Sequence, residues 1–172
     1  MKPNLLRCAI ASAVLVTTTS WAQTGQGTPA KPCATPQHRQ FDFWIGEWDV
    51  TQNGKSAGHN IIRPILNGCA LSEQWSGTGG FRGDSLNFYD QKTQRWHQTW
   101  IDSLGQSLML EGTFSGNAMA LLTTGRSSDE QSHRITWTLL DDGSVRQLWQ
   151  TRENPGAEWK TAFDGKHTRR SN

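Results

Sequence analysis

Two acidic side chains stand near tryptophans in a way that could support acid–base chemistry. Glu73 lies two residues before Trp75, and Asp102 lies two residues after Trp100. If each pair belongs to a strand, the carboxylate and the indole share a face, because alternate residues of a strand point to the same side. Two carboxylates facing one another across a cavity could act as a general acid and a general base, since burial and like-charge repulsion separate their pKa values. One interpretation is therefore a hydrolase or isomerase that uses Glu73 and Asp102.

The chain carries none of the usual sequence motifs of nucleophilic, metal or nucleotide chemistry. It contains no serine nucleophile elbow, no histidine pair at metal-binding spacing, no CxxC pair and no phosphate-binding glycine loop. His59, His97 and His133 fall in strand-like segments, where histidines are more often surface or hydrogen-bonded side chains than ligands. We therefore expect no metal site and no cofactor, and binding without catalysis is the preferred interpretation.

The strand-like segments predict an aromatic interior that also contains a few polar groups. Such a mixture is common in ligand pockets, and polar side chains in an interior must be hydrogen-bonded. We expect seven residues to line a cavity for a small apolar or amphipathic molecule: Glu73, Trp75, Gln98, Trp100, Trp137, Gln147 and Trp149. The alternative is that the tryptophans fill the interior, which would indicate a structural envelope protein.

The same alternation assigns an inner face to the segments near the C-terminus. It places His133, Ile135 and Leu139 inside together with Trp137. In the last segment it places Trp159, Thr161 and Phe163 inside and Lys160 outside.

These residues depend on a series of short segments with period-two alternation, separated by turn signals such as Asn53-Gly54 and Asn67-Gly68. No ten-residue helical pattern interrupts the series. Consecutive antiparallel strands form a meander, and closing the meander removes its exposed edges. The sequence therefore predicts an all-β fold, an up-and-down antiparallel β-barrel of about ten strands, at 47–52, 57–66, 69–76, 81–89, 95–102, 106–113, 117–123, 132–140, 143–151 and 158–164.

The decapeptide FDFWIGEWDV, residues 41–50, changes period in its middle. Phe41, Trp44 and Ile45 follow the i, i+3, i+4 spacing of one helical turn, whereas Trp48 and Val50 alternate as in a strand. A short N-terminal helical turn should therefore lead directly into the first strand.

A helical turn followed by Gly46-Glu47-Trp48 resembles the Gly-x-Trp start of lipocalin-type barrels. With LNGCAL, SLNFYD, QTWID, RITWTLLDDGSVRQLW and FDG, the decapeptide resembles a family of secreted lipocalin-like, calycin-type domains of unknown function, over nearly all of residues 41–170. The resemblance implies that Trp48 closes the base of the barrel against a basic side chain, for which Arg169 is the candidate. By analogy with the related nitrobindin-type barrels, which use a histidine, a haem ligand would be His167 or His133.

The N-terminus has the pattern of an export signal. Lys2 and Arg7 precede a short apolar run, and Ser20-Trp21-Ala22 suits cleavage after Ala22. We expect a signal peptide at 1–22, a flexible lead at 23–40, and one barrel domain at 41–170, in a periplasmic or secreted protein without a membrane span.

Composition bears on the partners of the exported chain. The chain has 17 basic and 15 acidic residues, and two of the basic ones lie in the signal, so the mature chain carries equal numbers. Nucleic acid would favour a basic excess. We therefore expect no nucleic-acid partner, and a small apolar or amphipathic molecule instead.

Two cysteines, Cys33 and Cys69, follow the predicted signal. In an oxidising compartment they can form a disulfide, which would hold the lead against the domain. Two separate thiols, with Cys69 simply small and buried, are the alternative.

Overall fold

A computed structural model of the chain describes residues 31–127 and 131–171, so the predicted signal peptide lies outside the described residues. Each strand pairs antiparallel with its neighbours in sequence, and the first pairs with the last, which closes the barrel. The predicted up-and-down barrel is confirmed. Its strands are β1 Gly46–Gln52, β2 Lys55–Ile65, β3 Ala70–Gly77, β4 Arg82–Asp90, β5 Arg95–Asp102, β6 Ser107–Ser115, β7 Ala118–Ser127, β8 Ser132–Leu139, β9 Val145–Arg152 and β10 Lys160–Arg169.

The up-and-down topology gives the barrel two different ends. The connections after β1, β3, β5, β7 and β9 lie at one end, which we call the open end. The connections after the even-numbered strands lie at the other, which we call the closed end. The N-terminal segment enters β1 at the closed end, so the residues before Gly46 are available to cover it.

The predicted helical turn is a 3₁₀ helix, Asp42–Trp44, that plugs the closed end. The side chains of Phe41 and Trp44 are completely buried. Their rings stack with centroids 4.9 Å apart, and the Phe41 ring meets Trp137 edge-on at 5.3 Å. Burying several large aromatic rings in one cluster stabilises this end strongly, because each ring removes a large apolar area from water.

Trp48 and Arg169 face one another where β1 pairs with β10. The Arg169 guanidinium carbon lies 4.4 Å from the Trp48 ring centroid, and its Nη1 donates to the carbonyl of Ile45 at 3.1 Å. The indole Nε1 of Trp48 donates to the carbonyl of Trp44 at 2.9 Å. These contacts fix the helical turn, the first strand and the last strand to one another.

A disulfide joins Cys33 to Cys69, as predicted. It bridges the N-terminal segment to the β2–β3 connection at the closed end. Part of the segment expected to be a flexible lead is therefore ordered, and that expectation is wrong for the 3₁₀ helix Pro36–Arg39. His38 in this helix is buried, and its ring meets Tyr89 edge-on at 5.2 Å.

The inner face predicted for the start of β10 is also wrong. The register with β9 shifts between Thr161 and Phe163, so one extra residue, Ala162, enters the strand there. A bulge of this kind reverses the side chains that precede it. Phe163 faces inward as expected, but Thr161 is exposed. Trp159 lies just before β10 between the guanidinium groups of Arg134 and Arg152, each 4.5 Å from its ring centroid.

Candidate functional site

The barrel contains a cavity of about 690 Å³ that reaches the open end. This volume falls within the range of roughly 300 to 1,000 Å³ that is usual for small-molecule sites. All seven residues predicted from the sequence lie on its wall: Glu73, Trp75, Gln98, Trp100, Trp137, Gln147 and Trp149. The β1–β2 and β3–β4 turns form its mouth, with Lys55, Thr78 and Phe81 among the residues there.

Two of the indoles on the cavity wall, those of Trp75 and Trp100, lie over glycines of the neighbouring strands. The Trp100 ring lies over Gly83 of the neighbouring strand, where any Cβ would overlap it. The Trp75 ring lies over Gly58 in the same way, since a Cβ there would come within 2.9 Å of its Cη2 atom. Each glycine leaves a recess that accepts an indole, so the ring covers the wall without crossing the lumen.

Glu73 lies deep in the cavity, at the centre of a set of polar side chains. Only 3% of its surface is exposed. Asn60 Nδ2 donates to Glu73 Oε1 at 2.8 Å from β2, and Ser85 Oγ donates to Glu73 Oε2 at 2.6 Å from β4. Register explains these contacts, because Glu73 is directly opposite Ser85 on β4, and on β2 Asn60 lies two residues from Ile62, the partner of Glu73, and so on the same face.

The same network continues onto β5. Asn87 Nδ2 donates to Ser85 Oγ at 2.8 Å, and Gln98 Nε2 donates to Asn87 Oδ1 at 2.9 Å. Asn87 and Gln98 are paired across β4 and β5. The network holds the predicted Gln98 and Glu73 in fixed positions on one wall of the cavity.

Burial raises the pKa of Glu73 to about 7, and the charge of Asp84 adds to the rise. The hydrogen bonds from Ser85 and Asn60 oppose it, because they stabilise the carboxylate. Burial is the largest of these effects, since it takes the charge out of water without a compensating cation. Glu73 can therefore gain or lose a proton near neutral pH.

The opposite wall carries a second polar contact. Gln147 Oε1 lies 3.0 Å from Nε2 of His167. His167 is completely buried between the cavity and the closed end, and burial lowers its pKa to about 3. A neutral imidazole whose Nε2 carries the proton donates to Gln147 and orients it. Beside them, Trp149 Nε1 donates to Nδ1 of His133 at 3.0 Å, which fixes that indole.

Sequence reasoning did not identify Asn60, Ser85 and Asn87 as partners of Glu73. On β4 the polar residues Ser85 and Asn87 face inward, whereas Leu86 and Phe88 face outward and are 51% and 39% exposed. If the apolar residues of this strand are assumed to point inward, the inner and outer faces of β4 are therefore exchanged. The signal that could have found the network is Glu73 itself, because a buried carboxylate needs donors from the strands on either side.

The other candidate acid has a structural task. Asp102 Oδ1 accepts hydrogen bonds from the backbone N–H groups of Leu104 at 2.8 Å and Gln106 at 3.0 Å, in the turn between β5 and β6. It is not among the residues that line the cavity. The structure therefore places Glu73 on the cavity wall and Asp102 at the end of β5, where it holds the following turn.

The histidines considered as haem ligands are both engaged within the protein. His167 is packed against the rings of Trp44 and Trp48 at centroid distances of 6.5 and 6.3 Å, and His133 accepts from Trp149. Within residues 31–127 and 131–171, no group of three or more His, Cys, Asp or Glu side chains could hold a metal ion.

No family model matches the chain, and no curated protein matches it. Among the described residues, no helix is long and apolar enough to cross a membrane. The class of the protein is thus given by its structure, a closed ten-stranded antiparallel up-and-down barrel with a cavity at one end.

Proposed function

We propose that this chain is an exported, lipocalin-like binding protein that holds a small apolar or amphipathic molecule in its cavity. The observation that carries the proposal is the cavity of about 690 Å³ with four indoles on its wall and three polar side chains among them. The indoles supply apolar contact area, and Glu73, Gln98 and Gln147 supply fixed hydrogen-bonding groups. This is the composition expected of a site that orients one end of a guest.

The arrangement of the tryptophans favours a binding protein over a structural barrel with a filled interior. At the closed end, rings pack against rings. Around the cavity, Trp75 and Trp100 instead lie over glycines, and both remain only partly buried. A barrel selected only for stability would gain from filling this space, because each cavity forfeits dispersion contacts.

Export is supported by two features of the chain. The segment 1–22 has the pattern of a signal peptide. The Cys33–Cys69 disulfide is of the kind that persists in oxidising compartments such as the periplasm or the extracellular space. We therefore assign the protein's work to one of these compartments.

The proposal can be tested by displacement of the neutral fluorescent probe N-phenyl-1-naphthylamine from the oxidised protein. Fatty acids, isoprenoids, quinones and haem serve as competitors. We expect at least one class to bind with a Kd below about 100 μM, which corresponds to about 5.5 kcal/mol. If no competitor and no probe binds at this level, the filled structural barrel becomes the better account.

Two substitutions localise the binding to the cavity. Gly83→Ala should lift the Trp100 ring off the wall into the lumen and weaken binding, since a Cβ at residue 83 overlaps the indole. Trp159→Ala is the matched control, because Trp159 is an indole on the outer surface between Arg134 and Arg152. Equal loss of affinity in both variants would place the ligand outside the cavity.

A further inference from the structure

The charges on the cavity wall are few and unequally placed. Among the described lining residues, the charged side chains are Glu73 and Lys55. Lys55 is exposed at the mouth, at the start of β2, whereas Glu73 is deep in the cavity and 3% exposed. No Lys, Arg or His of the described residues forms an ion pair with Glu73; the ion pairs recorded for this part of the chain join outward-facing side chains, such as Arg146 with Asp164.

The acceptor positions at and beside Glu73 outnumber the hydrogen bonds that they accept. Each carboxylate oxygen accepts one hydrogen bond, although an ionised carboxylate offers about four lone-pair positions. Beside it, the Oδ1 atom of Asn60 is buried and has no hydrogen-bond partner within residues 31–127 and 131–171. This corner of the interior is therefore rich in acceptors. A guest that fits it must bring donors, and an ammonium group brings three donors and no acceptor.

The aromatic wall favours the same kind of guest. The faces of indole rings carry negative electrostatic potential, so a cation near them is attracted, most strongly when both are shielded from water. Trp75, Trp100, Trp137 and Trp149 surround the lumen that Glu73 faces. An anionic guest would be repelled both by the negative potential of these ring faces and by the Glu73 carboxylate.

We propose that the guest is an amphipathic organic cation, whose protonated amine pairs with Glu73 and whose apolar part lies along the partly exposed indoles of Trp75, Trp100 and Trp149. This inference rests on the proposed binding function and specifies its ligand class. The amine replaces the missing counter-ion of a buried carboxylate, and the indoles stabilise both its charge and its hydrocarbon part.

If a cationic guest pairs with Glu73, its binding should also release the proton that this side chain holds below pH 7. Near pH 6 the free protein holds a proton on Glu73, because burial raises the pKa of this group to about 7. The side chains that face it from β2 and β4, Asn60 and Ser85, do not titrate, and Asp84 acts on it only through its charge. Lys55 at the mouth is the other charge on the wall. The lining residues from β8, β9 and β10 do not titrate: Ile135, Trp137, Gln147, Trp149, Ala162 and Phe163.

Three probes of equal chain length test the inference: decylamine, decanol and decanoate, compared by calorimetry at pH 7.5. We expect decylamine to bind at least about tenfold more tightly than decanol, and decanoate to bind most weakly. Glu73→Gln should abolish the preference for the amine, so that decylamine and decanol bind the variant with affinities within about twofold of each other, because glutamine keeps the size of the side chain and removes its charge.

The matched control is Glu111→Gln, which removes the same charge from the outer surface, where Glu111 faces Arg95. It should leave the order of affinities unchanged. In the wild-type protein, binding of decylamine at pH 6 should release close to one proton, measured as the dependence of the binding enthalpy on the ionisation enthalpy of the buffer. Decanol should release none. The number of protons released is measured on the wild-type protein, so this test remains valid even if Glu73→Gln fails to fold.

The outcomes separate the two proposals. If all three probes bind alike and no proton is released, the cation inference is overturned while the binding function stands. If decanoate binds best, the inference is likewise overturned. If none of the probes binds below about 100 μM and the competitors above also fail, both proposals fall.

Discussion

The two ends of this barrel use tryptophan in opposite ways. At the closed end, Trp44 and Trp48 are buried completely and contact other rings, the Arg169 guanidinium and backbone carbonyls. At the open end, Trp75 and Trp100 lie over glycines and remain partly exposed to a cavity. The residue type is the same, so the neighbours decide the role. A ring packed against rings stabilises the fold, whereas a ring set into a glycine recess forms a wall.

Two buried titratable groups, His167 and Glu73, differ in the direction in which burial shifts their pKa values. His167, behind the closed end, is held neutral because burial lowers its pKa to about 3. Glu73, on the cavity wall, titrates near neutrality because burial raises its pKa to about 7. The first group is fixed in one state across the physiological range. The second can gain or lose a proton near neutral pH.

The largest expected effect is at the closed end. Trp48→Ala should lower the free energy of unfolding by about 3 to 5 kcal/mol, because it removes a buried indole together with its contacts to Trp44 and Arg169. Trp100→Ala should cost less, since that ring is only partly buried. Urea denaturation of both variants measures the difference. Equal losses would show that the open-end indole is also a packing residue, and the contrast between the ends would disappear.

The disulfide is the next largest contribution, and it too belongs to the closed end. It closes a loop of 36 residues, for which the chain-entropy estimate gives about 3 to 4 kcal/mol. Exchanging both Cys33 and Cys69 for serine should lower the free energy of unfolding by this amount and leave the affinity for cavity ligands within about twofold. Thiol titration of the unreduced, unfolded wild-type protein is the control and should find no thiol at these two residues. A large loss of affinity in the variant would mean that the two ends are coupled.

The sequence was a good guide to the barrel and an incomplete guide to the site. Period-two alternation located all ten strands, and it identified the seven wall residues because Glu73, Gln98 and Gln147 each share a face with tryptophans. It could not reveal the bulge at Ala162, because one inserted residue changes the face of Trp159 without any composition signal.

Pairing between strands carries the rest of the information. Asn60 and Ser85 act on Glu73 only through the register of β2, β3 and β4, and a single strand's pattern contains no register. The glycine recess under Trp100 is likewise a property of two strands, since Gly83 belongs to β4 and Trp100 to β5. Alternation therefore predicts which residues face inward, and only pairing shows whether the inside is filled.

A third prediction sharpens the contrast between the titratable groups. For Glu73 the folded protein binds a proton more tightly than the unfolded chain, so its contribution to stability is present at low pH and is lost as pH rises from about 4.5 to about 7. Relative to wild type, Glu73→Gln should therefore gain unfolding free energy over this window, on the order of 3 kcal/mol. Urea denaturation of both proteins from pH 4.5 to pH 7.5 measures the difference.

His167 provides the internal control for that experiment. Its lowered pKa has the opposite sign, because the unfolded chain binds the proton more tightly, and stability is lost as pH falls from about 6.5 toward 3. This loss should persist in Glu73→Gln, since the two residues lie in different polar networks. A stability difference between variant and wild type that stays constant with pH would show that Glu73 titrates normally, and the distinction between a fixed and a responsive group would fail.

The smallest effect concerns the seam that joins the first and last strands at the closed end. Arg169→Ala should lower the free energy of unfolding by about 0.5 to 2 kcal/mol, through loss of its contact with the Trp48 ring and its hydrogen bond to Ile45. Arg169→Lys isolates the planar group, because lysine keeps the charge but cannot lie flat on the indole while donating to the carbonyl.

A double-mutant cycle with Trp48→Ala measures the coupling directly, since residues in contact show non-additive effects. Additive effects would mean that Trp48 is stabilised by burial alone. Coupling together with an unchanged affinity for cavity ligands would show that the closed end holds the barrel together without taking part in binding.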